Sequence, residues 1–67
     1  MYKFDLASAR VRAGLKQKDA ATLIGVSRQT LLSWEKGHTE PSASQIPIIL
    51  ETYGLPFEAM DFSKRAT

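Results

Sequence analysis

Apolar residues recur every three or four positions through most of the chain, in short segments separated by glycine or proline. In residues 5–13, Leu6, Ala9 and Ala13 lie at helical spacing on one stripe, which Arg10 shares. No segment of the sequence alternates apolar and polar residues in the way that a half-buried strand does. The pattern therefore predicts an all-α fold built from short helices.

The residues between these segments predict where the first three helices begin and end. The first helix, residues 5–13, is expected to end at Gly14, and the second, residues 17–24, at Gly25, because glycine readily adopts the left-handed conformation of a helix C-cap. The third helix follows Ser27, whose hydroxyl can accept a free N–H group of the first turn. Only a short turn is then left between the second and third helices.

A proline near the start of the fourth helix restricts where that helix can begin. Ser42 is one candidate N-cap, but a helix that begins there would need the N–H group that Pro47 lacks. We therefore expect the fourth helix to run from Ser44 or Gln45 to Tyr53, with the proline inside the first turn, where no N–H group is required.

A fifth short helix is predicted over residues 56–61, after Gly54 has ended the fourth. The expected architecture is a compact bundle of five short helices with one core. The predicted core consists of Leu6, Ala9, Leu15, Ala20, Ala21, Ile24, Val26, Leu31, Trp34, Ile46, Ile49, Leu50, Tyr53, Leu55 and Met60.

The net charge of +2 conceals a basic half and an acidic half. Residues 1–36 carry seven Lys or Arg residues and three acidic residues, whereas residues 37–62 carry four acidic residues and no Lys or Arg. A basic half favours an anionic partner on one side of the molecule. A solvated surface with charges segregated by chance gives the same pattern, so charge alone leaves both interpretations open.

Composition excludes several classes of protein. The chain has no cysteine and one histidine, His38, which is too few ligands for a metal site. No apolar run approaches the roughly 18 residues of a membrane span, and the N-terminus lacks a hydrophobic signal core. We expect one soluble cytoplasmic domain over residues 1–67, with 63–67 as a frayed tail. An enzyme, a metal, a cofactor and a small-molecule ligand are not expected.

The turn between the second and third helices has the composition of a helix-turn-helix. Gly25, Val26 and Ser27 are the whole connection, and the small Ala20 and Ala21 allow the next helix to approach closely. Glycine permits the positive φ that a sharp turn between helices needs. In a helix-turn-helix, the second helix of the pair enters the major groove of DNA.

The segment "GLKQKDAATLIGVSRQTLLSWEKGHTEPS", residues 14–42, resembles the phage-repressor/Cro-type helix-turn-helix domains. The matching positions are Gly14, Leu15, Gln17, Ala21, Gly25, Val26, Ser27, Trp34, Glu35, Gly37, Pro41 and Ser42, and the match continues through Tyr53, Gly54 and Met60. The resemblance implies a sequence-specific transcriptional regulator, most often a repressor. It implies double-stranded DNA as the partner and a homodimer that binds a near-palindromic operator.

The resemblance also assigns roles to polar residues of the second and third helices. Arg28, Gln29 and Ser33 lie where the family reads base edges. Gln17 lies where the family contacts a DNA phosphate and often braces Gln29. Thr30 and Lys36 lie near phosphates. Independently of the family, Lys16 precedes the second helix, whose N-terminal N–H groups can bind a phosphate. Arginine suits guanine and glutamine suits adenine.

Two further positions follow from the comparison with the family. Arg10 and Glu35 occupy the places of a buried ion pair that links the first helix to the third. Position 32 is usually polar, but here it is Leu32, on the same helix face as Arg28. This leucine could touch a thymine methyl group or a partner chain, and the sequence leaves that choice open.

Ile48, Phe57 and Phe62 are surplus to one small core. They are either scattered surface residues or a patch of the kind that marks an interface. Since family members usually dimerise through this region, we favour a dimer interface. The main alternative function is an antitoxin or another protein-interaction module with the same fold, but little chain is available here to wrap a toxin.

Overall fold

A computed structural model of the chain describes residues 3–62. These residues form four α-helices and one short 3₁₀ turn, without a β-strand, and the predicted all-α class is confirmed for them. The elements are α1 (Leu6–Arg12), α2 (Gln17–Ile24), α3 (Arg28–Lys36), α4 (Ile46–Tyr53) and the 3₁₀ turn Phe57–Ala59. None of the helices described here has the length and apolar character of a membrane span. The predicted tail, 63–67 with Lys64 and Arg65, lies outside the described residues.

The predicted fifth helix is wrong, because the chain makes only one 3₁₀ turn there and then becomes extended at Met60 (φ −112°, ψ 144°). The extended segment pairs in parallel with the N-terminal segment at Phe4. The Phe4 amide donates to the Ala59 carbonyl at 2.9 Å, and the Asp61 amide donates to the Phe4 carbonyl at 2.9 Å. This pairing between distant parts of the chain requires an extended backbone and therefore ends the helical turn.

Side chains cap the starts of α1 and α3, whereas α2 and α4 begin without a side-chain cap. The Asp5 carboxylate accepts the Ser8 amide at 2.8 Å at the start of α1, and the Ser27 hydroxyl accepts the Thr30 amide at 3.0 Å at the start of α3. The N-cap of α4 is Gln45, one of the two expected starts of this helix. In the turn before α4, the Gln45 amide donates to the Ser42 carbonyl at 3.0 Å.

The core lies where all four helices meet, and every buried apolar residue in it was predicted from the sequence. These residues are Leu6, Ala9, Ala20, Ala21, Ile24, Leu31, Trp34, Ile49, Tyr53 and Met60. The other five predicted residues, Leu15, Val26, Ile46, Leu50 and Leu55, are half-buried. Both α1 and α2 pack against α3 and α4, so the position of α3 is fixed from two sides.

Tyr53 of α4 is buried, and its hydroxyl has no hydrogen-bond partner within residues 3–62. Burial, and to a smaller extent the charge of Glu35, raise the pKa of this hydroxyl to about 12, while Arg10 opposes the shift. The folded state therefore resists ionisation of Tyr53 more strongly than the unfolded state does.

Because the Tyr53 pKa is raised on folding, its contribution to stability is complete below about pH 10 and is lost as the pH rises towards about 12. The loss should reach at most about 3 kcal/mol. We expect Tyr53→Phe to remove this part of the alkaline destabilisation. Urea unfolding of both proteins between pH 8 and 12 measures it, and parallel pH profiles would contradict the assignment.

Candidate nucleic-acid interface

The connection between α2 and α3 is a tight turn that holds the start of α3 against the core. Gly25 adopts a positive φ of 90°, and both Gly25 and Val26 donate their amides to the Ala21 carbonyl, at 2.9 and 3.0 Å. Val26 packs against the buried cluster, and Ala20 and Ala21 are fully buried. The first turn of α3 is therefore placed by backbone hydrogen bonds and packing, with no long loop in between.

The first turn of α3 presents polar side chains to solvent. Arg28 and Gln29 are exposed, and Thr30 is half-buried. The Ser27 hydroxyl donates to the Thr30 hydroxyl at 2.9 Å, which keeps these two groups at the helix start. The exposed pair Arg28 and Gln29 offers N–H donors and an amide oxygen, the groups that can read base edges in the major groove.

A shallow depression of about 330 Å³ lies on the outer face of α3 and is lined by Arg28, Gln29 and Leu32. Leu32 is half-buried and gives the depression an apolar wall. Polar groups of Arg28 and Gln29 border the same space. The N-terminal half of α3 therefore combines hydrogen-bonding groups with one aliphatic contact.

Further along α3, the predicted base-reading residue Ser33 is half-buried and already has a partner. Its hydroxyl lies 2.9 Å from the Thr39 hydroxyl. Gly37, with a φ of 80°, ends the helix and turns the chain back, and the His38 amide donates to the Ser33 carbonyl at 3.0 Å. Sequence reasoning missed Thr39, a hydroxyl residue that follows the terminating Gly37 and His38.

Arg10 of α1 and Glu35 of α3 form an ion pair across the two helices. Arg10 Nε donates to Glu35 Oε2 at 2.7 Å, and a second guanidinium nitrogen donates to Glu35 Oε1 at 3.3 Å. The third guanidinium nitrogen donates to the Leu15 carbonyl at 2.9 Å. The pair and its neighbouring carbonyl thus link α1, the segment before α2, and α3.

Gln17, the first residue of α2, joins this ion pair to the exposed start of α3. Its amide nitrogen donates to Glu35 Oε1 at 3.2 Å, and its amide oxygen lies 3.5 Å from a guanidinium nitrogen of Arg28. A carboxylate only accepts hydrogen bonds and a guanidinium only donates them, so these two partners fix the orientation of the amide. The structure therefore pairs Gln17 with Arg28, and not with Gln29 as expected from the family.

The two lysines predicted to contact phosphates are both exposed, at opposite ends of the α2–α3 pair. Lys16 precedes α2 and makes no side-chain hydrogen bond to the first turn of that helix. Lys36 is the last residue of α3. Both side chains are therefore accessible to a ligand.

Two of the three residues predicted to form a dimer interface contact each other. Phe57 and Phe62 stack with their ring centroids 6.0 Å apart; Phe57 is 60% exposed, while Phe62 packs in part against the core. Ile48 is 44% exposed on α4. Two other apolar residues, Val11 and Leu23, are also exposed, and the sequence analysis assigned them to neither the core nor this group.

Comparison with known proteins agrees with this geometry. A family model described as helix-turn-helix matches residues 6–60. The cryptic phage CTXphi transcriptional repressor RstR of Vibrio cholerae is 32% identical over 56 residues, which cover 84% of this chain and 50% of that repressor. The chain thus spans about half the length of this curated relative, and no solved structure matches it. The resemblance to phage repressors is confirmed, and the chain belongs to the helix-turn-helix family.

Proposed function

We propose that this protein is a sequence-specific DNA-binding transcriptional regulator of the phage-repressor type. In this proposal α2 and α3 are the helix-turn-helix, and α3 enters the major groove. The observation that carries the proposal is the exposed first turn of α3, where Gln17 links Arg28 to the buried pair of Arg10 and Glu35. A side chain that is held in place before binding loses less conformational entropy when it binds.

Arg28, Gln29 and Ser33 would read bases in each half-site. The first turn of a recognition helix points into the groove, and Arg28 and Gln29 occupy that turn. Arginine matches O6 and N7 of guanine, and glutamine matches N6 and N7 of adenine. Ser33 lies one helical turn later. To contact a base, its hydroxyl would either give up its hydrogen bond with the Thr39 hydroxyl or bind both groups at once.

Lys16, Gln17, Thr30 and Lys36 would hold the DNA backbone. The N-terminus of α2 has no side-chain cap, so its N–H groups remain available to a phosphate. The net positive charge of residues 1–36 favours the same partner. These contacts would position the protein on DNA and supply affinity without sequence preference.

Regulation would follow from occupancy of the operator, with no chemical step. A homodimer that uses Ile48, Phe57 and Phe62 would bind a near-palindromic site, because a two-fold protein matches two half-sites in opposite orientation. The Vibrio phage relative is a transcriptional repressor, which supports repression as the role of this protein. Such a protein would act in the cytoplasm, together with the DNA that it binds.

Two alanine variants separate base reading from phosphate contact. Gln29→Ala should cost about 1–3 kcal/mol on the preferred operator and relax preference at one position per half-site. It should leave the salt dependence nearly unchanged, because glutamine is neutral. Lys36→Ala should weaken binding to all sequences alike and reduce the slope of log K against log salt by about one unit. Titrations against preferred and scrambled duplexes at several salt concentrations measure both effects.

The preferred operator comes from selection of bound sequences from a random DNA pool. An enriched near-palindrome supports the proposal, whereas no enrichment would favour a protein-interaction module instead. If Gln29→Ala weakened both duplexes equally, or Lys36→Ala altered sequence preference, α3 would not dock on DNA as described.

A further inference from the structure

Leu32 is an aliphatic side chain on a helix face that otherwise offers hydrogen-bonding groups. It is half-buried and lines the same depression as Arg28 and Gln29. Leu31, its neighbour in the sequence, is completely buried in the core. The core therefore packs against the face of α3 that carries Leu31, and Leu32 remains as an apolar contact on the outer face.

Leu32 lies four residues after Arg28, so the two side chains would contact neighbouring parts of a ligand that runs along the helix. Residues four apart lie on one face of a helix, about 6 Å apart along its axis. That distance corresponds to fewer than two base pairs of DNA, at about 3.4 Å per step. A base contacted by Leu32 would thus lie within two base pairs of the base contacted by Arg28.

We propose that Leu32 reads the C5-methyl group of a thymine within two base pairs of the base read by Arg28, an inference that rests on the proposed function. Among unmodified bases, the thymine methyl is the apolar group that the major groove displays. The rim of the depression favours DNA over an apolar protein partner. Arg28 stands at that rim with Gln17 as its hydrogen-bond partner, and an apolar partner would bury this charge without compensation.

The test uses the 67-residue chain and the duplex obtained by selection from a random pool. Each thymine is replaced in turn by deoxyuridine, which lacks the methyl group and keeps every hydrogen-bonding group. We expect one thymine per half-site at which uracil weakens binding of the unaltered protein about fourfold, the effect of losing one buried methyl group. In Leu32→Ala the same replacement should have no effect.

The matched controls separate loss of the methyl contact from damage to the protein. Gln29→Ala, at the other wall of the depression, should keep the fourfold uracil effect at that thymine. Leu32→Gln keeps the length of the side chain and should lose the effect, as Leu32→Ala does. If both Leu32 variants unfold in thermal denaturation, the absence of a uracil-sensitive thymine in the series on the unaltered protein still overturns the inference.

Three results would overturn the inference while leaving the proposed function intact. The first is that selection yields a preferred duplex in which no thymine is sensitive to uracil. The second is a uracil effect that persists in both Leu32 variants. The third is a preferred site with no thymine within two base pairs of the base read by Arg28. Failure of the selection to enrich any sequence is a different result, which removes the proposed function itself. Restoration of full affinity when 5-methylcytosine is placed opposite guanine at the sensitive position would add independent support, because the methyl group is shared.

Discussion

Glu35→Ala is expected to lower the free energy of unfolding by about 3–5 kcal/mol. The Glu35 side chain is 5% exposed and that of Arg10 is 14% exposed, so alanine would leave the guanidinium in a poorly hydrated site without its carboxylate. Arg10→Ala should cost a similar amount, because it leaves the Glu35 carboxylate buried without its cation. Urea unfolding followed by circular dichroism measures both losses.

The double variant Arg10→Ala, Glu35→Ala tests whether the two residues act as a pair. Its loss should be much smaller than the sum of the single losses, because no uncompensated charge remains. Lys36→Ala is the matched control: this neighbour of Glu35 is exposed, and its replacement should change stability by less than about 0.5 kcal/mol. Small and additive losses at both positions would show that the ion pair contributes little to the fold.

The double change Ile48→Lys, Phe57→Glu should weaken operator binding by a factor of about 10²–10⁴ without unfolding the chain. A dimer binds its second half-site with the advantage of a high effective concentration, and separate monomers lose that advantage. Both side chains are largely exposed, so charges at these positions should be tolerated in the folded monomer. Sedimentation and operator titration measure the two consequences.

Val11→Glu serves as the matched control for Phe57→Glu. Val11 is 65% exposed and Phe57 is 60% exposed, so the two substitutions add the same charge at sites with similar exposure. Only the change at Phe57 should shift the sedimentation profile towards the monomer. If the unaltered protein sediments as a monomer at every concentration, free and on DNA, the dimer proposal fails.

The helical spacing of apolar residues was sufficient to predict most of the buried core. Leu31, Trp34, Ile49 and Tyr53 are buried as expected, because the period of an α-helix determines which side chains share a face. The caps at Ser27 and Gly25 are equally local, since each depends on residues within one turn. Interactions that act over a few positions can be read from the sequence.

The features that sequence reasoning missed depend on residues far apart in the chain. The extended backbone at Met60 follows from its pairing with Phe4, at the opposite end of the described residues. The hydrogen bond from the Gln17 amide to Glu35, 18 positions later, was not predicted for a related reason, because it joins α2 to α3. Periodicity carries no information on such pairings.

The orientation of Gln17 also limits how this protein could evolve a new operator. Glu35 holds the amide nitrogen, so an oxygen faces position 28. Lysine or glutamine at that position could still donate to this oxygen, whereas aspartate or glutamate would place acceptor against acceptor. Acidic side chains are the ones that accept from cytosine N4. If α3 reads bases as proposed, a change from guanine to cytosine at this position would therefore favour a second substitution, at Gln17 or Glu35, alongside Arg28.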